Sequence, residues 1–139
     1  MLIIILNHFL IKEYSDDFEL VIVEIKVSGK EIRIISGYGP QENLPEAERM
    51  QFFLALEEEI VKSKSLGKSV LIEVDANSKL GKNIICGDPY IQSANGRILA
   101  DIIDRHEMIV VNSLEKCQGS ITRERVTTNS VEKSSFYGR

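Results

Sequence analysis

The stretch Val70-Leu71-Ile72-Glu73-Val74-Asp75-Ala76-Asn77 joins a short apolar run to polar residues. Residues 70–74 are too few for a helix and apolar enough to predict a buried strand. Because strand side chains repeat every second residue, Asp75 and Asn77 are predicted to point the same way at its end. A carboxylate beside a carboxamide suits a metal-bound phosphate. Both residue types also bond their own backbone in ordinary turns, and that alternative stays open.

The segments before this strand predict a hairpin and a helix. Residues 18–27 and 31–36 alternate in polarity, and Ser28-Gly29-Lys30 between them predicts a tight turn. Residues 37–40 contain two glycines and a proline, which end the second strand. Asn43 is predicted to cap a helix that continues to about residue 63, with Gly67 as its stop.

The segments after the strand predict a second helix and further strands. A polar loop over residues 75–94 leads to Asn95, which is predicted to cap an amphipathic helix. Residues 108–111 predict another buried strand, and residues 122–135 predict at most an edge strand and a loop. This order predicts an α/β layered fold with a mixed sheet, within a single domain over residues 1–139.

Composition limits the kinds of function that the chain supports. Seventeen basic residues against 21 acidic ones give a net charge of −4, whereas proteins that hold nucleic acid by charge alone are usually basic. Any phosphate-directed function must therefore be local and aided by a cation. Two cysteines, Cys86 and Cys117, form no disulfide framework, which predicts an intracellular protein, nuclear or cytoplasmic. The apolar run over residues 1–6 is too short to span a membrane and is read as a strand or as the ragged start of a fragment.

Three residues besides Asp75 are candidates for a functional site. Asn77 shares its motif, and Tyr38 ends another strand between two glycines that let a ligand approach the backbone. Tyr38 is equally consistent with a packed residue that caps the sheet, and Asn95 is first of all a helix cap. Ligands of open α/β sheets bind beyond the carboxyl ends of strands, and Mg²⁺ often takes only one or two carboxylates plus water and phosphate.

Three motifs in this order carry a family resemblance: Ser36-Gly-Tyr38-Gly-Pro40-Gln-Glu42, Ile72-Glu-Val-Asp75-Ala-Asn77-Ser-Lys-Leu-Gly81 and Ser93-Ala-Asn95-Gly96-Arg97. Together they resemble the endonuclease/exonuclease/phosphatase superfamily, which includes deoxyribonuclease-I-like enzymes. The spelling is most similar to the endonuclease domains of non-LTR retrotransposons. The resemblance extends over residues 18–122.

The resemblance implies a fold, a reaction and site roles. The fold would be part of a four-layer α/β/β/α sandwich, and the reaction would be Mg²⁺-dependent hydrolysis of a phosphodiester, with Mn²⁺ as another usable cation and DNA as the partner. Tyr38 would contact the scissile phosphate, and Asp75 would position the attacking water or handle the leaving-group proton. Asn77 would bond the phosphate or a metal-held water, and Asn95 would join the substrate pocket.

The chain also departs from the family pattern. The family's N-terminal metal-binding glutamate has no convincing counterpart in residues 1–14, and its C-terminal aspartate and Asp-His pair are not found before Arg139. We therefore expect a truncated domain that is inactive alone, because such residues act as a unit. One alternative is a non-catalytic interaction module that self-associates through an uncovered sheet. Another is a phosphatase for small phosphate esters or inositol phosphates.

Overall fold

The computed structural model describes residues 10–15, 20–85, 88–114, 121–126 and 131–135. The chain divides into two compact units, Met1–Asn77 and Ser78–Arg139. The strand predicted for residues 1–6, and both cysteines, lie outside the described residues.

The first unit contains a mixed sheet and a long helix. Its elements are β1 (Leu10–Ser15), β2 (Leu20–Val27), β3 (Lys30–Tyr38), α1 (Glu46–Ser65) and β4 (Ser69–Asp75). The strand order is β1-β2-β3-β4, with β1, β2 and β3 antiparallel and β4 parallel to β3. The prediction of an α/β fold with a mixed sheet is confirmed.

The second unit contains a shorter helix and a pair of strands. Its elements are α2 (Ala94–Arg105), a short 3₁₀ helix (Val111–Ser113), β5 (Ile121–Val126) and β6 (Val131–Ser135), the last two antiparallel. In the described part of the chain, no helix combines the length and apolar character needed to cross a bilayer.

The turn between β2 and β3 explains the register of the sheet. Ser28 and Gly29 have φ angles of 50° and 82°, and two successive positive values match the twist of a two-residue hairpin. The register that follows pairs Leu20 with Gly37 and Glu24 with Arg33. The predicted hairpin is confirmed.

One face of the sheet packs against α1. Arg33 on β3 bonds to Glu59 on α1. Every second residue of β3 counted from Arg33, together with its partner on β2, therefore faces the helix. The apolar core between the two elements consists of Leu20, Ile22, Ile35, Phe52, Phe53, Leu56 and Ile60. These side chains fix β3, and with it Tyr38, relative to α1.

Several predicted boundaries and elements are wrong. Helix α1 begins after Pro45, which has no side-chain cap bond, and not after Asn43. Strand β4 is not buried: its residues alternate between exposed and half-buried, because it lies at the end of the strand order. Residues 108–110 are irregular, and Ile109 is 75% exposed, so the strand predicted there is absent. Residues 121–126 and 131–135 form a strand pair where at most one edge strand was predicted.

Candidate functional site

Tyr38 and Asp75 lie side by side at the ends of two neighbouring strands. They are partners in the parallel register of β3 and β4, and each is the last residue of its strand. Since adjacent strands are about 4.8 Å apart, paired residues bring their side chains close together on one face. That face is the one away from α1, because Tyr38 directly follows the helix-facing position Gly37 and side chains alternate between the two faces. The two residues that the sequence singled out in separate motifs are therefore brought together.

Tyr38 is available to a ligand. Its side chain is 45% exposed, and the Gln41 amide donates a hydrogen bond of 3.0 Å to its hydroxyl oxygen. Because that oxygen already accepts a bond, the single hydroxyl proton is left to be donated elsewhere. A phosphoryl oxygen is an acceptor of the right kind. At 45% exposure more than half of the residue is covered, so a tyrosine packed over the sheet end stays an alternative.

Hydrogen bonds join the segment after β3 to the segment after β4. Gly39 N donates to Asp75 O at 2.6 Å, and the Asn77 side-chain amide donates to Gly39 O at 2.7 Å. A Cβ on Gly39 would lie 2.9 Å from Ala76 Cα, closer than side chains normally come to a backbone. Glycine at position 39 therefore allows the segment after β3 to touch the segment after β4.

Asp75 and Asn77 also form the turn that was left open as an alternative. Asp75 Oδ1 accepts a hydrogen bond of 3.1 Å from Asn77 N, and Asn77 has a φ of 44°, outside the strand region. The strand ends at Asp75, so strand alternation does not align the two side chains as predicted. Asp75 remains exposed, whereas the amide nitrogen of Asn77 faces Gly39.

The oxygen donors at this edge fit a hydrated magnesium ion. Glu73 and Asp75 are both exposed on β4 and share a face, since they are two residues apart in a strand. Mg²⁺ usually retains several waters and takes one or two carboxylates together with substrate phosphate. Within the described ranges, no group of three or more His, Cys, Asp or Glu could enclose a metal. Glu73 and Asp75 are the two exposed carboxylates on this face of β4.

Asn95 belongs to the second unit and does not cap its helix. Ser93 is the N-cap of α2, and its hydroxyl accepts from Gly96 N at 3.2 Å. Asn95 is a helical residue with 0% exposure. The prediction of Asn95 as cap is wrong because serine two residues earlier provides the capping oxygen. Ser93 itself is a strong N-cap residue type, a signal that could have found it.

The start of α2 is hydrogen-bonded to Lys79, which follows Asn77 in the second sequence motif. Ser93 Oγ accepts from Lys79 N at 2.9 Å, and Ser93 N donates to Lys79 O at 3.1 Å. A Cβ on Gly96 would lie 1.9 Å from Lys79 O, so only glycine fits there. Within the second unit, the second motif thus contacts the third through Lys79 and Ser93. Within the first unit, the first motif contacts the second through Gly39 and Asn77.

The comparisons with known proteins add no family to this geometry. No protein-family model, no curated protein and no solved structure matches the chain.

Proposed function

We propose that the edge formed by Tyr38 and Asp75 binds the phosphate of a phosphodiester, as part of a Mg²⁺-dependent endonuclease-type site. The observation that carries the proposal is the pairing of these two residues at the carboxyl ends of β3 and β4. Ligands of α/β sheets bind at that end of the strands. The family resemblance of the motifs supports the same chemistry.

Each residue has a role that its contacts support. The Tyr38 hydroxyl, oriented by Gln41, donates to a non-bridging phosphoryl oxygen. The Asp75 carboxylate, oriented by its bond from Asn77 N, holds a water or takes a proton next to that phosphate. Asn77 holds Gly39 and thereby sets the distance between the two strand ends. The substrate-binding role of Asn95 stays a prediction.

A cation is required by the charges at this edge. Two carboxylates, Glu73 and Asp75, repel a phosphate, and a divalent ion reverses that repulsion. When bound, Mg²⁺ neutralises charge that develops on the phosphoryl oxygens. Glu73 and Asp75 are the described residues that would hold it, with water and phosphate completing its shell.

The wider setting is proposed with the site. The sheet of the first unit would be one layer of a four-layer sandwich, the substrate would be DNA, and the protein would be intracellular. The described residues include the proposed phosphate-binding edge but not the full set of acid, base and metal ligands that the family resemblance implies. We therefore expect the chain alone to bind phosphodiesters and to leave supercoiled plasmid uncut.

Binding of a labelled DNA oligonucleotide, followed by fluorescence anisotropy with and without Mg²⁺, tests the proposal. We expect affinity to rise with Mg²⁺ and that rise to disappear in Asp75→Asn. Tyr38→Phe removes only the hydroxyl and should weaken the Mg²⁺-dependent affinity about tenfold, as expected for a lost bond to a charged group. Asp101→Asn, at an exposed position on α2, is the control for the loss of a surface carboxylate.

Two results would count against the proposal. One is an affinity that does not depend on Mg²⁺ in the unmodified chain. The other is a Mg²⁺-dependent affinity that Tyr38→Phe and Asp75→Asn leave unchanged. A plasmid-nicking assay addresses the separate expectation of inactivity, which Asp75-dependent nicking would contradict.

A second candidate function is an interaction module built on the same sheet. Leu71 is 47% exposed on the face of β4 that points away from α1. An exposed large apolar residue on a sheet face favours packing against another surface. This candidate predicts self-association.

A further inference from the structure

Hydrogen bonds within the loop over residues 80–92 hold its two ends together. The structure describes residues 80–85 and 88–92 of this loop. Gly81 N donates to the Asp88 carboxylate at 3.1 Å, and Lys82 N donates to Pro89 O at 3.0 Å. The Gln92 side-chain amide donates to Leu80 O at 2.9 Å, and Leu80 is buried with 6% exposure. These bonds anchor both ends of the loop within the second unit.

The loop displays two large apolar side chains. Tyr90 and Ile91 are adjacent in sequence, and each is 81% exposed. Exposed apolar surface is unfavourable in water, and adjacent exposed apolar side chains are typical of interaction sites. Binding residues are often carried on loops that a rigid scaffold positions.

A positive charge is attached to the exposed ring. Lys82 Nζ donates to the Tyr90 hydroxyl at 2.7 Å and lies 4.2 Å from the ring centroid. The ammonium therefore lies over one face of the ring, toward its hydroxyl end. Because Tyr90 is 81% exposed, the combination is an exposed aromatic ring with a cation over one of its faces.

We propose that Tyr90, Ile91 and Lys82 form a stacking platform for an unpaired nucleobase, with the Lys82 ammonium facing a neighbouring phosphate. Bases stack on aromatic side chains whatever their sequence, and a nearby cation satisfies the backbone charge. The proposal rests on the proposed function for the identity of the partner as nucleic acid. Its geometry is that of the second unit alone.

The Lys82 charge favours nucleic acid over an apolar protein surface. An apolar partner would have to bury the Lys82 ammonium together with Tyr90, at a large desolvation cost. A base followed by a phosphate satisfies both the apolar and the charged parts of this surface.

The platform is tested with two single-stranded probes that differ only in their bases. One is an oligothymidylate of about twelve nucleotides, and the other is an abasic strand of equal length. In fluorescence anisotropy without Mg²⁺, we expect the full chain to bind the base-containing strand at least tenfold more tightly. Tyr90→Ala should abolish this preference, whereas Tyr90→Phe, which keeps the ring, should retain it.

The charged part of the platform has its own readout. Lys82→Gln should lower the slope of log affinity against log salt by about one ion, as expected for one lost phosphate contact. Tyr90→Ala should leave that slope nearly unchanged. Far-ultraviolet circular dichroism and thermal melting of each variant would show that the fold is intact, because both side chains are exposed.

Equal affinity for the two probes, or a preference that survives Tyr90→Ala, would overturn the platform. The failure of the proposed function looks different. In that case Tyr38→Phe and Asp75→Asn would change nothing, while Tyr90→Ala would still remove the base preference. The reverse pattern would remove the platform and leave the phosphate site standing.

Discussion

Asn77 meets two requirements at the residue scale. Its backbone is left-handed with a φ of 44°, a conformation that costs most residues about 1–2 kcal/mol but that asparagine adopts more readily. Its side-chain amide also bonds to Gly39 O at 2.7 Å. Asparagine therefore satisfies the turn after β4 and holds the segment after β3 with one side chain.

Two substitutions at position 77 separate these contributions. Asn77→Gly loses the hydrogen bond but keeps the backbone freedom, so we expect a loss of about 1 kcal/mol in the free energy of unfolding. Asn77→Ala loses both, so we expect a loss of about 2–3 kcal/mol. Urea unfolding of the two variants measures the difference. Equal stabilities for alanine and glycine would show that the left-handed backbone imposes no cost there.

At the scale of the elements, an ion cluster joins the sheet to α1. Arg33 is 3% exposed and bonds to Glu24 on β2 at 3.3 Å and to Glu59 on α1. Lys68, just before β4, bonds to the same Glu24 at 2.9 Å. The cluster therefore ties β2, β3, α1 and the start of β4 together.

Removing the central cation should be strongly destabilising. Arg33→Met removes the cation that bonds both Glu24 and Glu59. Because Glu24 keeps Lys68 and Glu59 keeps Lys62, we expect a loss of about 2 kcal/mol. The double variant Arg33→Met/Glu59→Leu should recover part of that loss, because it also removes one of the two carboxylates. Chemical denaturation of the single and double variants gives the coupling. A double variant less stable than Arg33→Met would contradict this explanation.

The Lys68 end of the cluster predicts a pH dependence. Its hydrogen bond to Glu24, together with the charges of Glu24 and Glu31, raises the pKa of Lys68 above 10.5, with partial burial opposing the shift. The stability that Lys68 contributes is therefore complete below pH 10.5 and is lost as pH rises through the higher pKa of the folded state.

Comparison with Lys68→Met isolates this effect from other groups that titrate in the same range. The difference in unfolding free energy between the unmodified chain and the variant should be constant below pH 10.5 and shrink above it. Lys26→Met, at an exposed position near the end of β2, is the control for loss of a surface charge. A difference that grows with rising pH would have the wrong sign for this mechanism.

The sequence predicted those elements that local patterns determine. The β2–β3 hairpin follows from alternation and the Ser28-Gly29 turn, and α1 follows from its apolar spacing and Gly67. Helix caps and the burial of strands were harder to predict from the sequence. Ser93 and Asn95 are both good capping residues, and only the bonds to Lys79 and Gly96 decide between them. An apolar run such as residues 70–74 does not reveal whether its strand lies inside or at the end of a sheet.

The candidate site was predictable as a set of residues but not as an arrangement. Tyr38 and Asp75 each end a strand in the sequence, but their pairing depends on the parallel register of β3 and β4. The contact of Asn77 with Gly39 joins residues far apart in the chain, and no local pattern encodes it.

At the scale of the whole molecule, the sheet has two different faces. The face toward α1 is buried, whereas the opposite face is lined by half-buried apolar residues and by Leu71, which is 47% exposed. The half-buried set consists of Val21, Val23, Ile25, Ile32 and Ile34. A surface of this composition predicts self-association.

Multi-angle light scattering over a range of concentrations measures that association. We expect an apparent mass above the 15.7 kDa of one chain, rising with concentration. Leu71→Lys should shift the population toward the monomer, whereas Leu54→Lys, an equally exposed leucine on α1, should not. A monomer at all concentrations would contradict the prediction.

The central claim, that the paired ends of β3 and β4 bind a phosphodiester, is tested most directly by nuclear magnetic resonance. Backbone amide shifts of the full chain are followed while a thymidine dinucleotide is added in the presence of Mg²⁺. The predicted result is saturable shifts at Tyr38, Gly39 and residues 75–77, lost in Asp75→Asn. Shifts confined to other residues, or shifts at these positions that Asp75→Asn leaves unchanged, would contradict it.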